Sequence, residues 1–239
     1  MNRNLKFIIA SVYSLCLCAL IFVLFSYLDF KDLTSYSYLR NSGNILINFK
    51  NDNIILFTLV FFLASILWVF LLGFGTPVAI LSGFIFGPLL GTAISVSAFT
   101  CGAGLLYVVA KYYFKDLVAK YLPKRIEKYK NLFNKNEFFY FMIFRISGGA
   151  GIPFAIQNIL PVIFNMKLKN YLPSTFLGLV PIIFIINSLG SGIEQLLKNN
   201  ETFNYISILT EKNIYLPLIG FFIIIIISYL IKKKYFKDN

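Results

Sequence analysis

The chain has 239 residues, 58% of them hydrophobic and only 13% charged, with a net charge of +12 and no histidine. Soluble globular domains run near 45–50% apolar and about 25% charged, so this composition excludes a soluble enzyme or binding domain and points to an all-α integral membrane protein. The lysines and arginines gather at the ends of apolar runs, a topological pattern and not the basic stripe that binds nucleic acid.

The basic start and the uncharged run 7–28 read as an uncleaved signal anchor, because the run is of full spanning length and no small-residue cleavage site follows it. Residues 29–53 read as an external loop with three basic and three acidic residues. From Asp52 to Lys111 no charged residue intervenes, about three times the roughly 20 residues that one crossing needs. The linker 111–137 then holds eight basic residues against three acidic, 138–166 and 170–193 are apolar, 194–212 is slightly acidic, and 213–231 precedes the basic tail KKKYFKDN. With basic segments inside, the N-terminus, the 111–137 linker and the C-terminus are cytoplasmic. Three domains follow: 1–53 as anchor and loop, 54–193 as the core, and 194–239 as external loop, last helix and tail.

Residues 53–111 must then cross an odd number of times. Either 54–88 is a re-entrant hairpin and 90–110 the single crossing, or the interval crosses three times; the glycine and proline breaks favour the hairpin. The second half repeats the plan, with 138–166 dipping in from the cytoplasm and 170–193 crossing outward. GTPVAI at 75–80 recurs as GIPFAI at 151–156, and Gly102 recurs as Gly178 at the same offset of 76 residues. The expected fold is thus an inverted repeat of two re-entrant helical hairpins plus about four transmembrane helices. SGGAGIP, at 147–153, reads as the turn of the second hairpin.

The segment GTPVAILSGFIFGPLLGTAIS resembles the first glycine-rich hairpin of the DedA superfamily, the VTT-domain proteins, with a G-F-x-F-G-P-x-x-G core at Gly83, Phe84, Phe86, Gly87, Pro88 and Gly91. FRISGGAGIPFAIQN is similar to the arginine, proline and asparagine signature of the second hairpin, carried here by Arg145, Pro153 and Asn158. FLGLVPIIFIINSLGSG resembles the last helix of the domain, with Gly178, Pro181 and Gly190. Where the family often has a proline soon after the arginine, this chain has Ser147, Gly148 and Gly149. The acidic residues that many relatives carry near the first hairpin, linked to proton coupling, have no counterpart between 53 and 110. The resemblance implies lipid movement, by scrambling phospholipids or returning lipid carriers across the bilayer.

The candidate substrate-binding residues are Arg145, Gly148, Gly149, Gly151, Pro153, Gln157 and Asn158 in the second hairpin and Gly75, Pro77, Gly83 and Gly87 in the first. Arg145 either meets a substrate phosphate, caps the hairpin's carbonyls or snorkels to the inner surface. Gln157, Asn158 and Asn187 either touch substrate or bond helix to helix; Gly83, Gly87, Gly91, Gly102 and Gly104 permit close helix approach. No catalytic set, metal cluster or Walker loop stands out, so neither enzymatic activity nor a cofactor is expected; Cys16, Cys18 and Cys101 imply no disulfide or zinc framework. Membrane lipids with anionic headgroups are the expected partners, nucleic acid is not, and a homo-oligomer is compatible. The expected setting is a bacterial plasma membrane, and the expected function is passive movement of a phospholipid or lipid-linked anion. An ion or small-solute transporter and a non-transporting membrane assembly factor are the alternatives.

Overall fold

The computed structural model describes residues 11, 15, 36–71, 73–114, 136–198 and 212–235, and every regular element among them is helical. All but two positions of the expected signal anchor lie outside these residues, as do most of the 111–137 linker and of the 194–212 loop. The chain divides into two compact units, Met1–Thr58 and Leu59–Asn239.

In the first unit the segment read as a loop folds as α1, Tyr36–Asp52. Its four asparagines and Gly43 have weak helix propensity, which is why the sequence pattern did not declare it. The Phe49 and Phe57 rings meet edge to face at 5.9 Å.

The second unit takes most of α2 (Ile54–Phe70), then α3 (Gly75–Phe86) and α4 (Pro88–Val109), which a π-helical turn extends over Ala110–Phe114. A single residue separates α3 from α4. Gly87 adopts φ 77°, a left-handed conformation that glycine reaches without strain, and its N–H closes α3 on the Gly83 carbonyl. Pro88 opens α4 at a position where the missing N–H would have been unpaired in any case.

After the undescribed linker come α5 (Glu137–Ile146), a 3-10 turn (Gly148–Gly151) and α6 (Phe154–Ile163). Asn136 caps α5 by accepting from the Phe139 N–H at 3.1 Å. Glu137 Oε2 reaches across to the start of the next helix, accepting from the Lys167 N–H at 3.0 Å and from Asn170 Nδ2 at 2.7 Å. That next helix, α7 (Leu168–Lys198), runs 31 residues, and α8 (Lys212–Tyr235) packs on it where Gly220 meets Ile185.

Among the described residues two helices are long and apolar enough to cross a membrane, Pro88–Tyr112 with 25 residues and Leu168–Leu196 with 29. They fall on the crossings expected at 90–110 and 170–193. The shorter apolar helices α3 and α6 have 12 and 10 residues. At 1.5 Å per residue each reaches about half the depth of a 30 Å hydrocarbon core.

Helix α7 is the spine, and glycines let its neighbours approach it closely, α3 backbone to backbone and α4 against a side chain. A Cβ on Gly190 would fall on the Ile80 carbonyl of α3, one on Gly83 would fall on the Asn187 carbonyl of α7, and one on Gly104 of α4 would lie 2.8 Å from Leu172. One contact occurs twice. Gly102 of α4 lies against the Ile66 carbonyl and the Val69 side chain of α2, and Gly178 of α7 lies against the Met142 carbonyl and the Arg145 side chain of α5. Each residue of the second set follows its counterpart by 76 positions, the offset of the sequence repeat.

Candidate functional site

Arg145 stands in the last turn of α5, where the helix dipole favours a cation, and it is 1% exposed. It is the only charged side chain among the buried described residues, and no carboxylate is buried with it. Nη1 donates to Gln157 Oε1 at 3.0 Å and Nη2 donates to Asn158 Oδ1. The guanidinium also lies 5.1 Å from the Phe141 ring centroid and 5.4 Å from that of Phe154, within cation–π range of both. The Tyr171 hydroxyl of α7 stands beside it and donates to the Asn158 carbonyl at 3.4 Å. Nε of Arg145 and Nδ2 of Asn158, both buried, have no hydrogen-bond partner.

The turn is built to aim these groups. Gly148, Gly149 and Gly151 all take positive φ, at 68°, 74° and 82°, a conformation costly for residues with a Cβ. At Gly149 the space is also taken, since an added Cβ would fall on the Gln157 amide. That amide donates from Nε2 to the Ile152 carbonyl at 2.7 Å and to the Gly148 carbonyl at 3.3 Å. Gln157 is thus a strut from α6 to the turn and, through Oε1, to Arg145. Pro153 precedes α6 in an extended conformation and sets the helix start.

The residues expected from the first half are placed differently. Gly75 opens α3 against the rings of Phe99 and Phe154, one ring away from Arg145, so the first copy of the six-residue repeat meets the second at Phe154. Pro77 is exposed in the first turn of α3, Gly83 serves the α3–α7 crossing, and Gly87 makes the α3–α4 turn. Phe141, Phe154 and Tyr171, absent from the expected set, complete the surroundings of the guanidinium. Helical spacing carried a signal for two of them: Phe141 precedes Arg145 by one turn, and Tyr171 lies two turns before Gly178 on the same face of α7. Cys101 is free and exposed, and Cys16 and Cys18 fall outside the described residues.

Residues 73–192, half of the chain, match the VTT domain. The chain belongs to the VTT-domain family. A Transmembrane protein 41 homolog of Caenorhabditis elegans is 28% identical over 206 residues, covering 83% of this chain and 79% of that protein. A Transmembrane protein 41 homolog of Dictyostelium discoideum is 24% identical over 189 residues, 76% of this chain and 53% of that protein, so the chain spans about half the length of this second relative. No solved structure matches. The VTT match runs from just before α3 nearly to the end of α7 and contains the whole Arg145 cluster, so the resemblance seen in the sequence is one of membership in a family of membrane proteins.

Proposed function

We propose that this VTT-domain protein moves a phospholipid or a lipid-linked anion passively across the bilayer, with the negatively charged headgroup drawn to Arg145 while the tails stay in lipid. The observation that carries this reading is a buried guanidinium whose protein partners are all neutral. An arginine at the centre of a membrane helix costs about 2.5–3.5 kcal/mol on insertion scales, and a carboxylate partner is the usual compensation. Here two amide oxygens and two ring faces hold the cation in place without neutralising it. Its Nε–H and the neighbouring Asn158 amide N–H are left to donate to a further acceptor. A phosphate supplies the charge and the oxygens that this set lacks. The N-terminus of α6 adds its partial positive charge on the same side of the turn.

The recurrent glycine contact at the 76-residue offset supports a structural repeat. In the proposed arrangement α2–α3 and α5–α6 are re-entrant hairpins from opposite faces, α4 and α7 are full crossings, both termini are cytoplasmic, and the membrane is a bacterial plasma membrane. Half-length helices that break at depth thin the barrier to a headgroup. Passive movement follows from the charge inventory, since the buried described residues offer no acid to carry a proton. On this reading the protein is not an enzyme.

The test is reconstitution into vesicles containing a tail-labelled fluorescent phospholipid bleached by an external reductant. Vesicles with the protein are expected to lose signal from both leaflets and protein-free vesicles from the outer leaflet only. Arg145→Gln of equal stability is expected to slow the inner-leaflet loss by at least about tenfold, roughly 1.4 kcal/mol in barrier, and an imposed pH gradient is expected to leave the final distribution unchanged. Bleaching no greater than in protein-free vesicles removes the lipid reading.

A further inference from the structure

Hydroxyls inside apolar helices normally return to their own backbone; among those described here several do, while the buried hydroxyls of Ser95, Thr100 and Thr175 have no partner. Thr58, Ser65, Thr92 and Ser188 each donate to the carbonyl four residues back, at 2.7, 2.7, 2.6 and 2.8 Å. Ser95 of α4 is fully buried and its Oγ has no partner. The carbonyl it would use belongs to Gly91, and the hydroxyl of Ser82 from α3 already occupies that oxygen at 3.1 Å.

A second orphan faces the same seam. Asn187 of α7 is fully buried, and its Nδ2 donates to the Ile183 carbonyl at 2.8 Å, which fixes the amide's orientation because a flip would set oxygen against oxygen. Its Oδ1 has no partner. That oxygen lies over Gly91, where an added Cβ would come within 2.5 Å of it. Gly91 lies opposite Asn187 and Gly104 opposite Leu172, so α4 and α7 run antiparallel. Ser95, one turn beyond Gly91, therefore lies along the turn from Asn187 to Ile183. Two unpartnered oxygens thus share one interhelical seam of an apolar domain, each at a cost of about 1–3 kcal/mol.

We propose that Ser95 and Asn187 form a second headgroup station, one that accepts hydrogen bonds. It rests on the lipid-moving reading and names the headgroup class that the reading leaves open. The Arg145 cluster offers donors and a positive charge, which suit a phosphate. The Ser95–Asn187 pair carries no charge and offers an amide oxygen that only accepts beside a hydroxyl that accepts as well as donates, which suits the donating part of a headgroup, an ammonium or an alcohol. A choline headgroup has neither N–H nor O–H and gains nothing there. The twelve-residue α3 lies over the Gly91–Asn187 end of the seam and meets α7 through the bare backbones of Gly83 and Gly190 without interlocking side chains at those points, so its displacement exposes the station from that end.

The test uses the full chain in vesicles with tail-labelled phosphatidylethanolamine, phosphatidylglycerol or phosphatidylcholine. The wild type is expected to move the ethanolamine and glycerol lipids several-fold faster than the choline lipid; the first arm reports the ammonium and the second the hydroxyl. In Ser95→Ala and in Asn187→Leu that ratio is expected to fall to near one. Thermal stability in detergent is expected to hold or rise, because an unpartnered polar group has been replaced by an apolar one. Equal wild-type rates for the three lipids overturn the station, as do variants that keep the preference. A loss of stability accompanied by an equal slowing of all three lipids assigns the pair to packing and also overturns it. A wild type that moves none of them removes the underlying reading, and the station with it.

Discussion

The backbone of Gly178 lies directly against the Arg145 side chain: a Cβ added at 178 would stand 2.5 Å from Arg145 Cβ and 2.9 Å from the Met142 carbonyl. One hydrogen atom on α7 is therefore what lets α5 carry its cation inward at this height. Gly178→Ala is expected to cost about 1–3 kcal/mol of stability, as overpacked cores do, and to lower lipid movement further than the folded fraction explains, because relief comes by shifting Arg145. Gly102→Ala makes the equivalent clash with the Ile66 carbonyl of α2. It is expected to cost a similar amount while leaving the activity of the folded fraction intact. Thermal unfolding in detergent and vesicle bleaching on the same preparations measure both.

Arg145→Lys separates charge from shape. Lysine keeps the positive charge but cannot reach Gln157 and Asn158 together as the planar fork does. Partial lipid movement is expected, between the wild type and Arg145→Gln, with the three proteins compared at matched amounts of folded protein. Activity in Arg145→Lys as low as in Arg145→Gln would make the fork's geometry, and not its charge, the requirement.

Gln157→Glu offers a sharper discrimination. The new carboxylate keeps an acceptor for Arg145 but loses the donor that ties down the Gly148 and Ile152 carbonyls, and it supplies the counterion that the wild-type site lacks. If the uncompensated charge attracts phosphate, stability is expected to stay within about 1–2 kcal/mol of wild type while lipid movement falls at least about tenfold. Retained activity would separate the site's function from its charge.

The sequence disclosed most of this in the places where side-chain chemistry is local. The glycine run after Arg145 declared a turn because only unusual backbone conformations need those residues, whereas Gly87, read as a point of close helix approach, has nothing near it and makes the α3–α4 turn instead. The offset of 76 pointed to paired glycines, and both proved to sit in equivalent helix contacts. What stayed hidden depends on which face of a helix turns inward. An apolar helix in an apolar solvent has no polar face to betray its orientation, so Phe141, Phe154 and Tyr171 looked like any other membrane aromatics. Gly75 and Gly151 looked equivalent, yet one accommodates an aromatic ring and the other bends the chain. Helix α1 was missed for the opposite reason, since its asparagines and Gly43, all weak helix formers, masked it.

The charge distribution makes a topological prediction. Tyr112, at the end of α4, and Lys212, at the start of α8, are both exposed and are expected on opposite sides of the membrane. Single cysteines at these positions, in a protein whose three native cysteines are replaced, are expected to react with an impermeant reagent from opposite faces. Reaction from the same face would remove the opposed hairpins.

The ten-residue length of α5 bears on how the protein is made. A segment long enough for only half the hydrocarbon depth, with an arginine in its last turn, does not partition into lipid alone as an independent span. Its resting place is created by Gly178, which the ribosome adds 33 residues after Arg145. During biogenesis α5 must therefore wait at the membrane surface, or within the insertion machinery, until α7 has been synthesised and laid across the bilayer. The same order holds at the other end of the domain, where α3 depends on Asn187 and Gly190 more than 100 residues downstream. Assembly thus completes from the C-terminal side, and a nascent chain stopped before α7 would leave both short helices without their binding surface.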